Sequence, residues 1–100
     1  MVIAMRKRIT KSMLNDVPDE YAFWCCDGVI IKSLEGLYIA LKKMSQETFH
    51  YHLNHNKNDF SKWVKEVIGD VTLARQLDKT ATRASMEAKI LHRIDWLKHR

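Results

Sequence analysis

The stretch His50-Tyr51-His52-Leu53-Asn54-His55-Asn56-Lys57-Asn58-Asp59 holds the densest set of side chains able to do chemistry. Imidazole serves as a general base or a metal ligand, and a carboxylate such as Asp59 can orient an imidazole for proton transfer. Spacing limits both uses. On a helix His50 and His52 diverge by about 200° and cannot hold one metal ion. His52 and His55 can share a face if the helix extends that far. They still need a third ligand, from Asp59, Cys25 or Cys26, so a histidine metal site ranks third among the functional readings. No Gly-x-Ser-x-Gly motif, cysteine signature or Gly-rich phosphate loop is present, which points to a non-enzymatic protein. No catalytic residue, metal ligand or cofactor is assigned. His52, His55, Asn58 and Asp59 are instead expected to form a polar partner-binding surface. Each also has a plainer role: His52 as a partly buried imidazole bonded to the loop, and Asn58 or Asp59 as a helix cap.

These side chains need elements to position them. Tyr21–Cys26 and Val29–Lys32 flank Asp27-Gly28, the pattern of a β-hairpin with a two-residue turn. Such a turn sets Cys26 opposite Val29 and Trp24 opposite Ile31, with these four residues on the face packed against the helices. Ser33 caps a helix bearing Leu34, Leu37, Tyr38 and Leu41. Ser45 caps a short one from Gln46 to about Leu53. Phe60, Trp63, Val64, Val67 and Ile68 form the clearest apolar helical face, closed by Gly69. Asp70 caps the next helix, with Leu73 and Leu77 inward. After a Lys79–Thr82 connector, a last helix runs from about Arg83 to Lys98 on a stripe of Met86, Ile90, Leu91, Ile94 and Leu97. The fold class is α+β, mostly helical, with an N-terminal β-hairpin packed on a bundle of about four to five short helices.

With 100 residues, 46% apolar and 29% charged, the chain has the size and composition of one globular domain. Residues 1–20 read as a basic amphipathic extension and loop, with Val2, Met5, Ile9 and Met13 at helical spacing. Residues 21–100 read as the hairpin-plus-helices domain. No run is long and apolar enough for a membrane span, and no apolar leader follows Met1. Adjacent Cys25 and Cys26 make a poor disulfide, so a cytoplasmic location is expected.

The charge of +5 gathers at the ends. An RNA or DNA partner would therefore meet Arg6, Lys7, Arg8, Lys11, Arg93 and Arg100. Residues 59–68 and 71–78 have helix-turn-helix-like spacing, but Arg75, Gln76 and Lys79 offer little to a DNA groove.

Asn58-Asp59-Phe60-Ser61-x-Trp63-Val64, followed by Val67-Ile68-Gly69-Asp70 and Leu73-Ala74, resembles a family of short prokaryotic, mainly archaeal, domains of unknown function. So does the run Asp27-Gly28, Ser33-Leu34-Glu35, Ala40-Leu41, Met44-Ser45, Thr48-Phe49, Tyr51-His52. The likeness covers residues 21 to about 95, and Gly36 departs from its pattern. The resemblance implies architecture and carries no activity. The leading expectation is a small interaction or adaptor module with a protein partner. The alternative is a nucleic-acid or ribonucleoprotein-associated accessory protein.

Overall fold

A computed structural model describes residues Met13–His99. The basic stretch with Arg6, Lys7, Arg8 and Lys11, the helix expected there, and Arg100 lie outside the described residues. The fold is α+β and mostly helical. After a short 3-10 turn, Asp19–Tyr21, come strands β1 (Phe23–Trp24) and β2 (Ile30–Ile31) and helices α1 (Leu34–Lys43) and α2 (Gln46–His52). Strands β3 (Leu53–Asn54) and β4 (Lys57–Asn58) follow, then α3 (Asp59–Trp63), a π-helical turn (Val64–Ile68), α4 (Val71–Asp78) and α5 (Arg83–Lys98).

Side-chain caps set the helix starts. Ser33, Ser45, Asn58, Asp70 and Thr82 each accept a hydrogen bond from the backbone N–H three residues on. Each satisfies one of the donors that a helix start leaves open. At Gly69, φ is 86°, a left-handed value that suits glycine. The Gly69 and Asp70 N–H groups both donate to the Val64 carbonyl there, at 2.9 and 3.2 Å.

The first hairpin exists, but its register differs from the expected one. Phe23 pairs with Ile31 and Trp24 with Ile30. The Cys25 N–H donates to the Val29 carbonyl and the Gly28 N–H to the Cys25 carbonyl, so three residues form the loop. This is a tight turn followed by Gly28 at φ 96°, the pattern of a hairpin with a glycine bulge. One extra loop residue shifts the pairing by one and turns the first strand over, while Ile31 keeps the inward side expected of it. Phe23, Cys25 and Ile31 point inward, while Trp24 is 71% exposed. Trp24 and Cys26, expected in the core, therefore lie outside, and Val29, on the inward side opposite Cys25, is half-exposed at the end of the hairpin.

A second small hairpin stands where a plain polar loop was expected. Leu53 pairs with Asn58 and Asn54 with Lys57. Asn54 holds the turn with its side chain: Oδ1 accepts from the Asn56 N–H at 2.9 Å, and Nδ2 donates to the His50 carbonyl at 3.1 Å. Side-chain bonds of this kind substitute for the glycine that such turns commonly use.

Phe60, fully buried, stacks between Phe23 and Phe49 at 5.5 and 5.8 Å, with Trp63 edge-on to Phe23 at 5.9 Å. Burying a side chain of this size contributes roughly 1.5–3 kcal/mol. The Trp63 indole N–H donates to the Tyr21 carbonyl at 2.8 Å. Met13 and Val17 are buried too, and the Val17 N–H donates to the Lys32 carbonyl, so the core reaches back ahead of Tyr21. On α5 the buried stripe is Met86, Ile90, Ile94 and Leu97. Leu91 is exposed, because it stands about 100° around the helix from Ile90.

Candidate functional site

His52 ends α2 and is only 4% exposed. Its ring lies against Phe23, Phe60 and Tyr51, at centroid distances of 5.0, 5.5 and 4.9 Å. Both nitrogens are engaged. Nε2 accepts from the Cys26 N–H at 3.0 Å, and Nδ1 lies 2.9 Å from Asp59 Oδ2. A backbone N–H can only donate, so Nε2 carries the lone pair and Nδ1–H donates to the carboxylate. Lys57 Nζ reaches the same Oδ2 at 2.9 Å and stands 4.4 Å from the Tyr51 ring centroid.

Burial pushes the Asp59 carboxyl upward, but hydrogen bonds from His52 and Lys57 outweigh it and set the pKa below the ordinary value. The hydrogen bond to Asp59 in turn raises the Lys57 ammonium above its usual range. Burial pushes the Cys25 thiol up to about 11, which keeps it protonated at neutral pH. Cys26 is exposed, and neither cysteine is in a disulfide.

The arrangement therefore does structural work. His52 ties the first hairpin to α3, and its basic nitrogen is already occupied by an amide. Asn58 is also used internally: its Oδ1 caps α3 and its Nδ2 donates to the Leu77 carbonyl at 3.1 Å. The four residues expected to form one partner surface separate into two groups. His52, Asn58 and Asp59 bind other parts of the protein, and of the four only His55, at the second hairpin turn, is exposed. His50 is exposed while His52 is buried, as their helical spacing requires. Among the described residues no group of three or more His, Cys, Asp or Glu side chains could hold a metal ion.

Arg93 is also turned inward. Its Nε and Nη2 donate to Asp70 Oδ2 and Oδ1 at 2.7 and 3.0 Å, and its guanidinium stacks on Trp96 at 4.3 Å. Asp70 is 1% exposed and also caps α4. The ion pair holds the Arg93 side chain at 16% exposure.

A different surface stands open. Between β2 and α1 lies a groove of about 370 Å³, lined by Val29, Ile30, Ile39, Ala40 and Met44, with Asp27 and Lys43 also contributing. Ile30 and Ile39 are each 47% exposed. Gly36 lets helix and strand approach: a Cβ there would lie 3.3 Å from Ser33 Oγ and 3.6 Å from Ile31 Cγ2. Sequence reasoning missed this groove, although Ile39 carried a signal. It sits two positions from Leu37, about 200° around the helix, and so must face away from the buried stripe.

The chain matches no family model, no curated protein and no solved structure. Among the described residues no helix is long and apolar enough to cross a membrane.

Proposed function

We propose that this protein is a non-enzymatic interaction module that docks a partner protein in the groove between β2 and α1. The carrying observation is the exposed apolar set Val29, Ile30 and Ile39 around one concavity. Trp24 stands across the strand pair from Ile30 and adds a large exposed ring. Tryptophan in such a place is a common interface anchor. Asp27 and Lys43 give the groove one charge of each sign. The complementary occupant is an amphipathic segment with an apolar anchor, flanked by a basic and an acidic side chain. An exposed free thiol at Cys26 fits a reducing compartment, so a cytoplasmic location goes with this reading.

The test is affinity purification of the tagged chain from its native cells, beside the Ile30→Asp/Ile39→Asp variant. Both side chains are half-exposed, so the variant keeps its core. A partner captured by the natural chain and lost from the variant, but kept by His55→Ala, supports the groove. Equal capture by both chains, or recovery of the protein alone, overturns it.

A second reading, contact with RNA or DNA, has its own support in the distribution of charge. The chain holds 17 Lys or Arg and 12 Asp or Glu. Arg6, Lys7, Arg8, Lys11 and Arg100 fall outside the described residues, which leaves 12 bases against 12 acids within them. The whole excess therefore sits in the terminal segments, where a sequence-independent polyanion contact could form. A salt series with mixed RNA and DNA checks this. Affinity that falls steeply with salt and vanishes on neutralising Arg6, Lys7, Arg8 and Lys11 supports it. No affinity at low salt overturns it.

A further inference from the structure

We infer that His52 is a proton-operated latch on the first hairpin, and that it regulates docking in the groove; this rests on the groove reading above. The geometry is specific. The lone pair of Nε2 is held by the Cys26 N–H at 3.0 Å, and the Nδ1 proton is held by Asp59. A second proton on the ring must go to Nε2. It would set one N–H against another at hydrogen-bond distance, and the two must separate.

The surroundings determine which contact gives way. Asp59 bonds the ring from α3 at 2.9 Å, and the Asp27 carboxylate follows Cys26 in the hairpin turn, where it accepts from the Val29 N–H. Lys57 of β4 shares Asp59 Oδ2 and opposes a positive charge on the ring. The remaining titratable neighbours, Tyr51 and the thiols of Cys25 and Cys26, carry no cationic charge. Proton uptake thus strengthens the Asp59 side and abolishes the Cys26 side.

Cys26 opens the three-residue loop that closes on Val29, which is paired with Cys25. The strands beyond the loop are two residues each, and a hairpin of that size is marginal without anchorage. Val29 and Ile30 form one wall of the groove. Release of the Cys26 amide therefore loosens the wall that a partner must grip. The groove is formed when His52 is neutral and loses its strand wall when the ring is charged.

The test reads the hairpin itself and needs no partner. Amide and imidazole nitrogen NMR spectra of the full chain are followed from about pH 7.5 to about pH 5, the range in which histidines commonly change charge. The expected result is a neutral His52 with its proton on Nδ1 at the upper end. The Cys26 amide should then lose its hydrogen-bond shift and exchange protection in step with ring protonation. The His50→Gln/His55→Gln variant removes the exposed neighbouring histidines and should keep the same transition. A Cys26 amide that stays fixed while the ring titrates overturns the latch, as does a ring that stays neutral until the protein unfolds. If the groove partner is captured, its affinity should fall by up to about tenfold per pH unit across the transition, the limit for linkage to one proton. A partner bound equally on both sides overturns the coupling alone and leaves the groove standing. Loss of the groove leaves the NMR test of the latch intact.

Discussion

Arg93 grips Asp70 through two nitrogens, at 2.7 and 3.0 Å, across 23 residues of sequence. The pair fastens α5 to the start of α4, where the same carboxylate accepts from the Leu73 N–H at 3.1 Å. Removing the guanidinium strands a charge at a site that is 1% exposed. Arg93→Ala should therefore cost about 3–5 kcal/mol in urea unfolding, the scale for breaking a buried pair. Arg93→Lys should cost less, since it keeps the charge and loses the two-point geometry. A loss under about 1 kcal/mol for Arg93→Ala would show the pair to be solvated like a surface bridge.

The register of the first hairpin separates Phe23 from Trp24 energetically. Phe23→Ala should lose about 3–5 kcal/mol, because Phe23 packs on Phe60, Trp63 and His52. Trp24→Ala should change stability by no more than about 0.5 kcal/mol. Thermal or urea unfolding of the two variants decides the register, since a two-residue turn requires the opposite ranking.

Gly28, at φ 96°, has no atom within 4 Å of where a Cβ would stand. Gly28→Ala is therefore a test of backbone conformation alone. It should destabilise by about 1–2 kcal/mol, the strain of a left-handed residue bearing a side chain. Gly28→Asn should recover part of that loss.

The two thiols should differ sharply in reactivity. Cys26 is exposed, whereas Cys25 is buried with its thiol pushed up to about 11. Alkylation of the native protein at neutral pH, read by mass spectrometry, should label Cys26 first. In denaturant both should react. Prompt native labelling of Cys25 would mean that the hairpin opens readily.

Asp59 gives a pH dependence of known sign. Its pKa is lowered in the folded protein, so its contribution is present above the unfolded carboxyl value of about 3.9 and is lost as pH falls through the folded value. Acid titrations of stability should show a decline below about pH 4 that is shallower in Asp59→Asn. Identical slopes in the two proteins would remove Asp59 as its source.

Much of the architecture was readable from local chemistry. Ser33, Ser45, Asn58 and Asp70 act as caps because short polar side chains satisfy open helix donors wherever an apolar helical stripe begins. The Phe60–Ile68 face and the Gly69 stop follow from spacing in the same way. What escaped depends on partners remote in sequence or on one-residue choices. The Asp-Gly pair announces a hairpin, yet two- and three-residue loops share that signature and bury opposite faces of the first strand. The second hairpin has no glycine, and its turn rests on Asn54. A contact between His52 and Asp59 was conceivable from their chemistry, since a carboxylate can orient an imidazole. Nothing local indicates that the other ring nitrogen belongs to an amide 26 positions away. That contact ties the first hairpin to α3 through the ring.

The even balance of acids and bases between Met13 and His99 has a practical consequence for handling the protein. A fragment trimmed to those residues would be formally uncharged at neutral pH while still displaying Trp24, Ile30 and Ile39. Proteins near zero net charge lose mutual repulsion and precipitate most readily. A trimmed fragment should therefore be least soluble near pH 7, and the whole chain, at +5, should be more soluble there.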